Sequence, residues 1–253
     1  MSDTPSPPLG AAAPGTPTAE PASRLDDYVD IYLAPSDVFD RRRDGRWGQA
    51  LLVLTLVSVV LYYLFLPAAT IIAEETMARA YAEAVAENPE AAEAMGQMQG
   101  FGATMVKLGG IMVIFGMVAS VFLLGVVIKG LSALLGAALT FAQALVVATF
   151  ARFVLIPRTL AVDLSVIWAD RGGDVDVVSD TSFGVLRFLD AASLADPLVP
   201  LLERLDLFAM WEAALWAVGI YVIARTTKGV AIGVAALTLL VATIPGLIGA
   251  FIG

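Results

Sequence analysis

The stretch "LFAMWEAALWAVGIYVIARTTKG", Leu207 to Gly229, decides the fold class of this chain. Its apolar part is close to the roughly 20 residues that an α-helix needs to cross a bilayer. Trp211 and Trp216 suit a membrane helix, but Glu212 places a carboxylate about a turn inside its start. Because a charged side chain in hydrocarbon is costly, it usually has a partner or a role. The stretch therefore predicts a membrane span and raises the question of what Glu212 contacts.

Composition extends the membrane interpretation to the whole chain. Of its 253 residues, 58% are hydrophobic and 15% are charged, and the mean hydropathy is +0.82. Soluble domains are nearer to about a quarter charged. The absence of Cys and His excludes disulfides, thiolate chemistry, Cys/His metal sites and imidazole catalysis, so we predict neither a cofactor nor a metal site. A net charge of −9 argues against nucleic-acid binding, which needs basic surface.

Five apolar segments are each near the length of a membrane helix. They predict an all-α polytopic membrane protein with five transmembrane helices in a membrane domain of residues 48–253. Residues 1–22, rich in Pro, Ser, Thr, Gly and Ala, predict a disordered tail. Residues 23–47 predict a juxtamembrane segment that is amphipathic and basic. The predicted spans are about 48–68, 105–127, 138–157, 207–224 and 230–251.

The connections between the spans differ in length. A tight turn around "KGLSALLG", residues 129–136, predicts that the second and third spans form an antiparallel hairpin. Residues 69–104 are acidic and strongly helix-forming. Residues 158–206 are also acidic and predict a loop followed by a short helix along the surface. Neither long connection is large enough to form a separate catalytic domain.

The positions of the basic residues predict the orientation of the chain. They precede the first span, lie in the second-to-third turn and separate the last two spans, whereas the long connections are acidic. With five spans, all three basic sites fall on one side, which gives a cytoplasmic N-terminus and a C-terminus outside. The arginines before the first span also have the chemistry to meet lipid phosphates, but a flank that only sets orientation is favoured. The basic residues are Arg41, Arg42, Arg43, Arg46, Lys129, Arg225 and Lys228.

Helix geometry offers Glu212 a partner. The fourth span begins at about Leu207, so Glu212 lies about 8 Å below that surface, and Arg152 lies about as deep in a third span ending near Pro157. Opposite charges at matching depth predict an Arg152–Glu212 pair with a structural role, since a guanidinium can hold a carboxylate through two hydrogen bonds. Asp163 is the alternative partner. In a further alternative, each side chain reaches the membrane interface independently.

Signals for enzymatic or transport chemistry are weak. There is no GxSxG, HExxH or P-loop pattern, and no His to act as a base. Five spans do not divide into two repeated halves, and they contain few polar residues to line a transport route. Asp174, Asp176 and Asp180 resemble a calcium loop only loosely, because the closing Glu is missing, so a solvated acidic loop is favoured.

Three stretches of the chain carry a family resemblance. "LAPSDVFDRRRDGRWGQALLVL", Leu33–Leu54, has a Pro-Ser…Phe start followed by a Trp and the first span. "GAALTFAQALVVATFARFVLIP", Gly136–Pro157, has an aromatic-x-Gln start and a late Pro. "LDLFAMWEAALWAVGIYVIARTTKGVAIGVA", Leu205–Ala235, has an Asp-x-Phe…Trp start, a mid-span Gly and a short basic turn before the last span. Together, over about residues 30–252, they resemble the Ypt-interacting-protein (Yip) type membrane domain, in its bacterial branch.

The Yip resemblance implies five membrane helices with a cytoplasmic N-terminus, and no catalytic residues. Eukaryotic members associate with Rab-type GTPases in vesicle traffic, but no residue here matches a GTPase contact, so that role is not carried over. The late connection "DVVSDTSFGVLRFLDAASLADPLVP" is longer than the family pattern.

We therefore predict a non-enzymatic, multi-pass protein of the bacterial cytoplasmic membrane. Its helices contact lipid, and they offer surfaces for a protein partner or a second copy of the chain. The predicted role is a scaffold or membrane-organising component that recruits a partner through its N-terminal tail or acidic outer loops. A small transporter or permease subunit is the alternative. An integral-membrane enzyme would need Asp163, Glu212 and the acidic loop to meet in one pocket.

Overall fold

The computed structural model describes residues 25–87, 89–172, 175–189, 194, 198–203 and 205–252. The predicted tail, residues 1–22, lies outside this part of the chain. The described residues form helices and one isolated antiparallel β-bridge, between Gly184 and Asp206, which confirms the all-α class. The α-helices are α1 (Asp27–Leu33), α2 (Pro35–Arg41), α3 (Gly48–Leu64), α4 (Leu66–Glu87), α5 (Pro89–Leu134), α6 (Phe141–Ala151), α7 (Leu155–Gly172), α8 (Val177–Asp180), α9 (Leu198–Glu203), α10 (Leu207–Ala224) and α11 (Lys228–Ile252).

Three helical stretches of the described chain are long and apolar enough to cross a membrane. They are Thr104–Leu134 in α5, Phe141–Gly172 made of α6 and α7, and Leu207–Ala224, which is α10. A fourth is added if α3 and the first part of α4, which meet at a 76° bend, form one broken span. In α11, Lys228–Ile244 is apolar but shorter. The multi-pass prediction is confirmed at this level, and the count of five spans stays a prediction.

The third apolar segment differs from its prediction. The sequence predicts a helix that ends near Pro157 and a loop after it. Instead, a 3-10 turn, Arg152–Val154, follows α6, and α7 continues to Gly172. Pro157 lies in the first turn of α7, where a missing N–H is tolerated, so the proline interrupts the regular helix without ending it.

The turn between α5 and α6 lies further along the chain than predicted. Because α5 runs to Leu134, the turn falls on residues 135–140 rather than around residues 129–136. Gly136 adopts a φ of 77°, a conformation that glycine takes without strain. Thr140 Oγ1 then accepts from the Gln143 amide at 3.2 Å, and Gln143 Oε1 accepts from the Thr140 amide at 2.9 Å. This reciprocal capping box starts α6.

α6 lies at the centre of the helical bundle. Its residues from Ala144 to Ala151 are all buried, and all except Thr149 are apolar. Gly125 of α5 lies against Leu145, and Gly219 of α10 lies against Val147. The small residues let both neighbouring helices approach α6 closely, which gives the bundle a densely packed apolar interior.

α1 and α2 pack against α6 and α10. Phe39 of α2 is fully buried beside Gly219 and makes an edge contact with Phe150, their ring centroids 6.4 Å apart. Tyr32 of α1 makes an edge contact with Trp211 at 5.7 Å. The segment predicted to be juxtamembrane therefore contributes side chains to the core of the bundle.

The carbonyl of Phe153 shows why α1 docks where it does. In a regular helix the amide of residue 157 would donate to this carbonyl, but Pro157 has no N–H. The Tyr32 hydroxyl donates to the Phe153 carbonyl instead, at 2.7 Å. Tyr28 stacks on the Phe153 ring with centroids 5.4 Å apart. α1 thus supplies the hydrogen bond that the proline removes from the helix.

Candidate functional site

The start of α10 is built around Asp206, which is 3% exposed. Its Oδ1 accepts a hydrogen bond from the Phe208 amide at 2.8 Å, and its Oδ2 accepts one from the Phe183 amide at 2.7 Å. Asp is favoured at a helix N-cap because its carboxylate satisfies an amide that has no partner within the helix. Asp206 therefore begins the helix that carries Glu212 and ties the preceding loop to it.

Arg152 and Glu212 meet near this helix start. The Arg152 Nε lies 3.3 Å from Glu212 Oε1, and the two side chains are 23% and 10% exposed. The 3-10 turn after α6 positions Arg152, and the Asp206 cap positions α10. Asp163, the alternative partner, is buried further along α7. The contribution of the Arg152–Glu212 contact to stability stays a prediction.

A polar cavity of about 320 Å³ adjoins the Arg152–Glu212 contact. Its charged lining residues are Arg152, Arg158, Asp206 and Glu212. Val178, Thr181 and Ser182 line another part of it, so the late connection forms one of its walls. The cavity combines fixed charges with an apolar remainder, which suits binding of a polar group attached to an apolar body.

The acidic loop forms contacts with α4. Asp176 accepts hydrogen bonds from Arg79 and, at 3.2 Å, from the Val178 amide, and Asp180 Oδ2 accepts one from the Asp176 amide at 3.0 Å. Burial alone would raise the pKa of Asp176, but the hydrogen bonds, that from Arg79 foremost, lower it below its usual range. Asp174 lies outside the described residues. Within the described part of the chain, no group of three or more acidic residues is placed to hold a metal ion.

The basic flank before α3 is paired with carboxylates. Arg41 contacts Asp27 at 2.7 Å and Asp30 at 2.6 Å, and Arg42 also contacts Asp27, which is 2% exposed. Burial alone would lower the pKa of Arg41, but the hydrogen bonds to Asp27 and Asp30 raise it. These bonds tie α2 to α1. The remaining pairs are Arg43 with Asp40 at 2.9 Å and Arg46 with Asp44 at 2.6 Å.

The other predicted basic residues lie at helix ends. Lys129 is near the end of α5, and Lys228 is the first residue of α11. Arg225 is the C-cap of α10 and has a left-handed conformation, with φ 51° and ψ 40°. The junction of α10 and α11 therefore carries two positive charges, one on each side of the short turn.

Sequence reasoning did not single out Asp27, Arg158 and Asp206. A signal existed for Asp206, because an Asp directly before a long apolar run is a typical N-cap. Arg158 follows Pro157, which the sequence suggested as the end of a span, so its place in a helix lining a cavity had no local signal. The pairing of Asp27 with Arg41 depends on the fold of α1 against α2.

Comparison with known families identifies the chain. A family model, the Yip1 domain, matches residues 29–250. A search of curated proteins and a search of solved structures each found no match. The matched residues include every candidate membrane span described above. The chain therefore belongs to the Yip1 family and is a multi-pass membrane protein.

Proposed function

We propose that the chain crosses the membrane five times, with its N-terminus in the cytosol and its C-terminus outside. Residues 1–22 are then a cytosolic tail, residues 23–47 a cytosolic-side segment, and residues 48–253 the membrane domain. α3, α5, α6 together with α7, α10 and α11 form the five crossings, and α11 crosses although its apolar stretch, Lys228–Ile244, is shorter than an ordinary span.

The main support for this orientation is that the basic sites gather at one end of the bundle. The Gln143 side chain, at the start of α6, donates to the Arg43 carbonyl at 3.0 Å. Val222, near the end of α10, lines a surface depression together with Arg41 and Arg43. Leu135, which follows α5, lies beside Gly233 of α11. Lys and Arg near span ends remain on the cytosolic side, so one basic end favours one cytosolic face.

We further propose that the protein is a non-enzymatic scaffold or membrane-organising component of a bacterial cytoplasmic membrane. The observation that carries this proposal is the buried apolar surface of α6 from Ala144 to Ala151. A bundle with such an interior holds its helices in a fixed arrangement and offers its ends and its lipid-facing sides to partners. In this role, the N-terminal tail or the acidic loops bind a protein partner and so recruit it to the membrane.

Transport has less support than a scaffold role. A transport route needs polar groups or water-filled space through the bundle. The polar cavity beside Glu212 adjoins the 3-10 turn that follows α6, and α6 leads away from it through buried residues, Ala144 to Ala151, that are apolar except for Thr149. Enzymatic chemistry is also less supported, because Asp163 does not line the cavity that contains Glu212.

Reporter fusions test the orientation. A reporter that is active only in the cytosol is placed in the α5–α6 turn at Gly136, in the late connection at Thr181, or after Gly253. Activity is expected at Gly136 and absent at Thr181 and Gly253. A strong cytosolic signal at Gly253 contradicts the five-span orientation, and immunoblots of equal fusion levels provide the control.

Cross-linking in intact cells tests the recruiting role. The full chain is compared with a variant that lacks residues 1–24, and cross-linked proteins are identified by mass spectrometry. A specific partner should be enriched over an unrelated multi-pass protein, and its recovery should fall in the truncated variant or in a variant with Asp176 and Asp180 changed to Asn. If no protein is enriched over the control, the recruiting role is wrong.

A further inference from the structure

The cavity beside Glu212 has a surplus of hydrogen-bond donors. Its two carboxylates are already engaged: both oxygens of Asp206 accept backbone amides, and Glu212 contacts Arg152. Arg158, in contrast, is exposed and makes no hydrogen bond or ion pair with any residue that the structure describes. Both Asp206 oxygens are therefore used as acceptors, the charge of Glu212 is offset by the ion pair with Arg152, and the Arg158 guanidinium is available.

Arg152 adds further donors to the same cavity. A guanidinium has five N–H groups, and the contact with Glu212 is made through Nε. The terminal nitrogens of Arg152 form no bond with other residues in the described ranges. Ser182 accepts a hydrogen bond from the Gly184 amide at 3.2 Å, which leaves its hydroxyl proton to donate. Arg152, Arg158 and Ser182 all line the cavity.

The chemistry of these donors selects the ligand class. Two guanidinium groups beside a hydroxyl match the several acceptor oxygens of a phosphate. Leu155, Phe208 and Ala209 line the remaining part of the cavity, which an apolar portion of the same ligand would cover. A volume of about 320 Å³ is at the lower end of small-molecule sites, so it fits a head group rather than a whole lipid.

We propose that this cavity binds the phosphate of a phospholipid head group through Arg158, Arg152 and Ser182, with the acyl chains lying along the outside of the helices. Arg158 supplies the main charge, because Glu212 already offsets part of the charge of Arg152. This site does not depend on the recruiting role or on the orientation proposed above, and it gives the protein a specific contact with lipid in addition to the general contact of its apolar helices.

Ligand-dependent stability tests the site with full-length protein in an uncharged detergent that lacks phosphate. Three probes are compared: short-chain phosphatidylglycerol, short-chain diacylglycerol and inorganic phosphate. A ligand that binds only the folded state raises its unfolding temperature. We expect a rise with phosphatidylglycerol that saturates, and little change with diacylglycerol or inorganic phosphate.

Two arginine variants on α7 complete the test. Arg158→Gln should weaken phosphatidylglycerol binding about tenfold or more, because a charge-assisted hydrogen bond is lost. Arg171→Gln removes an exposed arginine that lies outside the cavity and should bind as the unmodified protein does. Both variants should unfold at similar temperatures without lipid.

Each other outcome overturns the proposal in a distinct way. Equal stabilisation by diacylglycerol means that the phosphate is not recognised. Equal stabilisation by inorganic phosphate means that the site takes a soluble anion and not a lipid. Unchanged binding by Arg158→Gln, or equal weakening by Arg171→Gln, removes Arg158 from the site, and no stabilisation by any probe removes the site itself.

Discussion

The Tyr32 hydroxyl donates a hydrogen bond to the carbonyl of Phe153 at 2.7 Å, and this carbonyl is the one that Pro157 cannot satisfy. The bond connects two features that lie far apart in the sequence. The proline interrupts the regular helix between α6 and α7, and the interruption creates the acceptor onto which α1 docks. The late Pro that contributes to the family resemblance thus has a physical role in fixing the N-terminal helices to the bundle.

Replacing Tyr32 should show the strength of this connection. Tyr32→Phe leaves the Phe153 carbonyl without its donor, so we expect a loss of about 1–3 kcal/mol in the free energy of unfolding. Pro157→Ala restores an amide at position 157, so in that background Tyr32→Phe should cost less. The free energies of unfolding of the unmodified protein, the two single variants and the double variant are measured with denaturant in detergent, with circular dichroism as the signal for helix. Tyr221→Phe, which removes a hydroxyl from α10, is the control. If Tyr32→Phe costs the same with Pro157 as with Ala at that position, Tyr32 does not replace the hydrogen bond that the proline removes.

Tyr32 should also produce an alkaline dependence of stability. Burial raises the pKa of Tyr32 from 10.0 to about 12. The folded state therefore retains the phenol proton at a pH where the unfolded chain has lost it. The corresponding stability is fully present below pH 10 and is lost as the pH rises through about 12. Between pH 10 and about pH 12, the free energy of unfolding should fall more steeply for the unmodified protein than for Tyr32→Phe. Parallel curves for the two proteins would mean that Tyr32 does not cause the loss.

Removal of the Asp206 carboxylate should destabilise the start of α10. Asp206→Ala removes the acceptor for the Phe208 and Phe183 amides. The loss of a helix cap costs about 1–2 kcal/mol, and the second buried amide adds to this. Hydrogen exchange should increase first at the start of α10 and around Phe183. Asp170→Ala, which removes an exposed carboxylate from α7, is the matched control and should leave exchange in α10 unchanged.

A double-mutant cycle measures the coupling of Arg152 and Glu212. Arg152→Ala leaves the largely buried Glu212 carboxylate without this contact, and we expect a loss of about 3 kcal/mol. Glu212→Ala in the same chain should recover part of that loss, because the cost of burying the carboxylate away from Arg152 disappears with the carboxylate. The free energies of unfolding of the two single variants and the double variant provide the measurement. Simple additivity would mean that the two side chains do not stabilise one another.

Gly109 should not tolerate a side chain. A Cβ at this position of α5 would overlap the phenol of Tyr62, whose hydroxyl donates to the Val106 carbonyl at 2.5 Å. Gly109→Ala should therefore displace the ring and cost about 1–3 kcal/mol. At Gly116, on the same helix, no atom lies within 4 Å of the added Cβ. Gly116→Ala should be neutral or should stabilise the helix by up to about 1 kcal/mol, and equal effects at both positions would contradict the close approach of α3 and α5.

The sequence predicted the apolar helices better than the connections between them. Long apolar runs identify α10 and the central parts of α5 and α6, because hydropathy depends on composition alone. The rise per residue of a helix also directed attention to Arg152 and Glu212, which lie 3.3 Å apart. The continuation of α7 beyond Pro157 was missed, because a proline tolerated in a first helical turn resembles one that ends a helix.

The polar contacts that build the cavity were harder to predict. Asp206 and Phe183 are 23 residues apart, and their hydrogen bond depends on the path of the late connection. The pairing of Asp27 with Arg41 and Arg42 similarly depends on the turn between α1 and α2. A basic run before a span predicts arginines that are open to solvent or lipid, but in the folded chain these arginines form ion pairs with aspartates. Local composition does not contain that information.

The bend between α3 and α4 has a consequence for the surrounding lipid. α3 has 17 residues, so it is about 25 Å long, whereas the hydrocarbon core of a typical bilayer is about 30 Å thick. When α3 crosses, the leaflets around it must thin, and the first apolar turns of α4 then lie nearly parallel to the membrane plane because of the 76° angle. The angle between α3 and α4 thereby depends on the length of the lipid acyl chains, and longer chains should straighten the bend at Phe65. Distances between spin labels on α3 and α4, measured in short-chain and long-chain bilayers, would reveal this change.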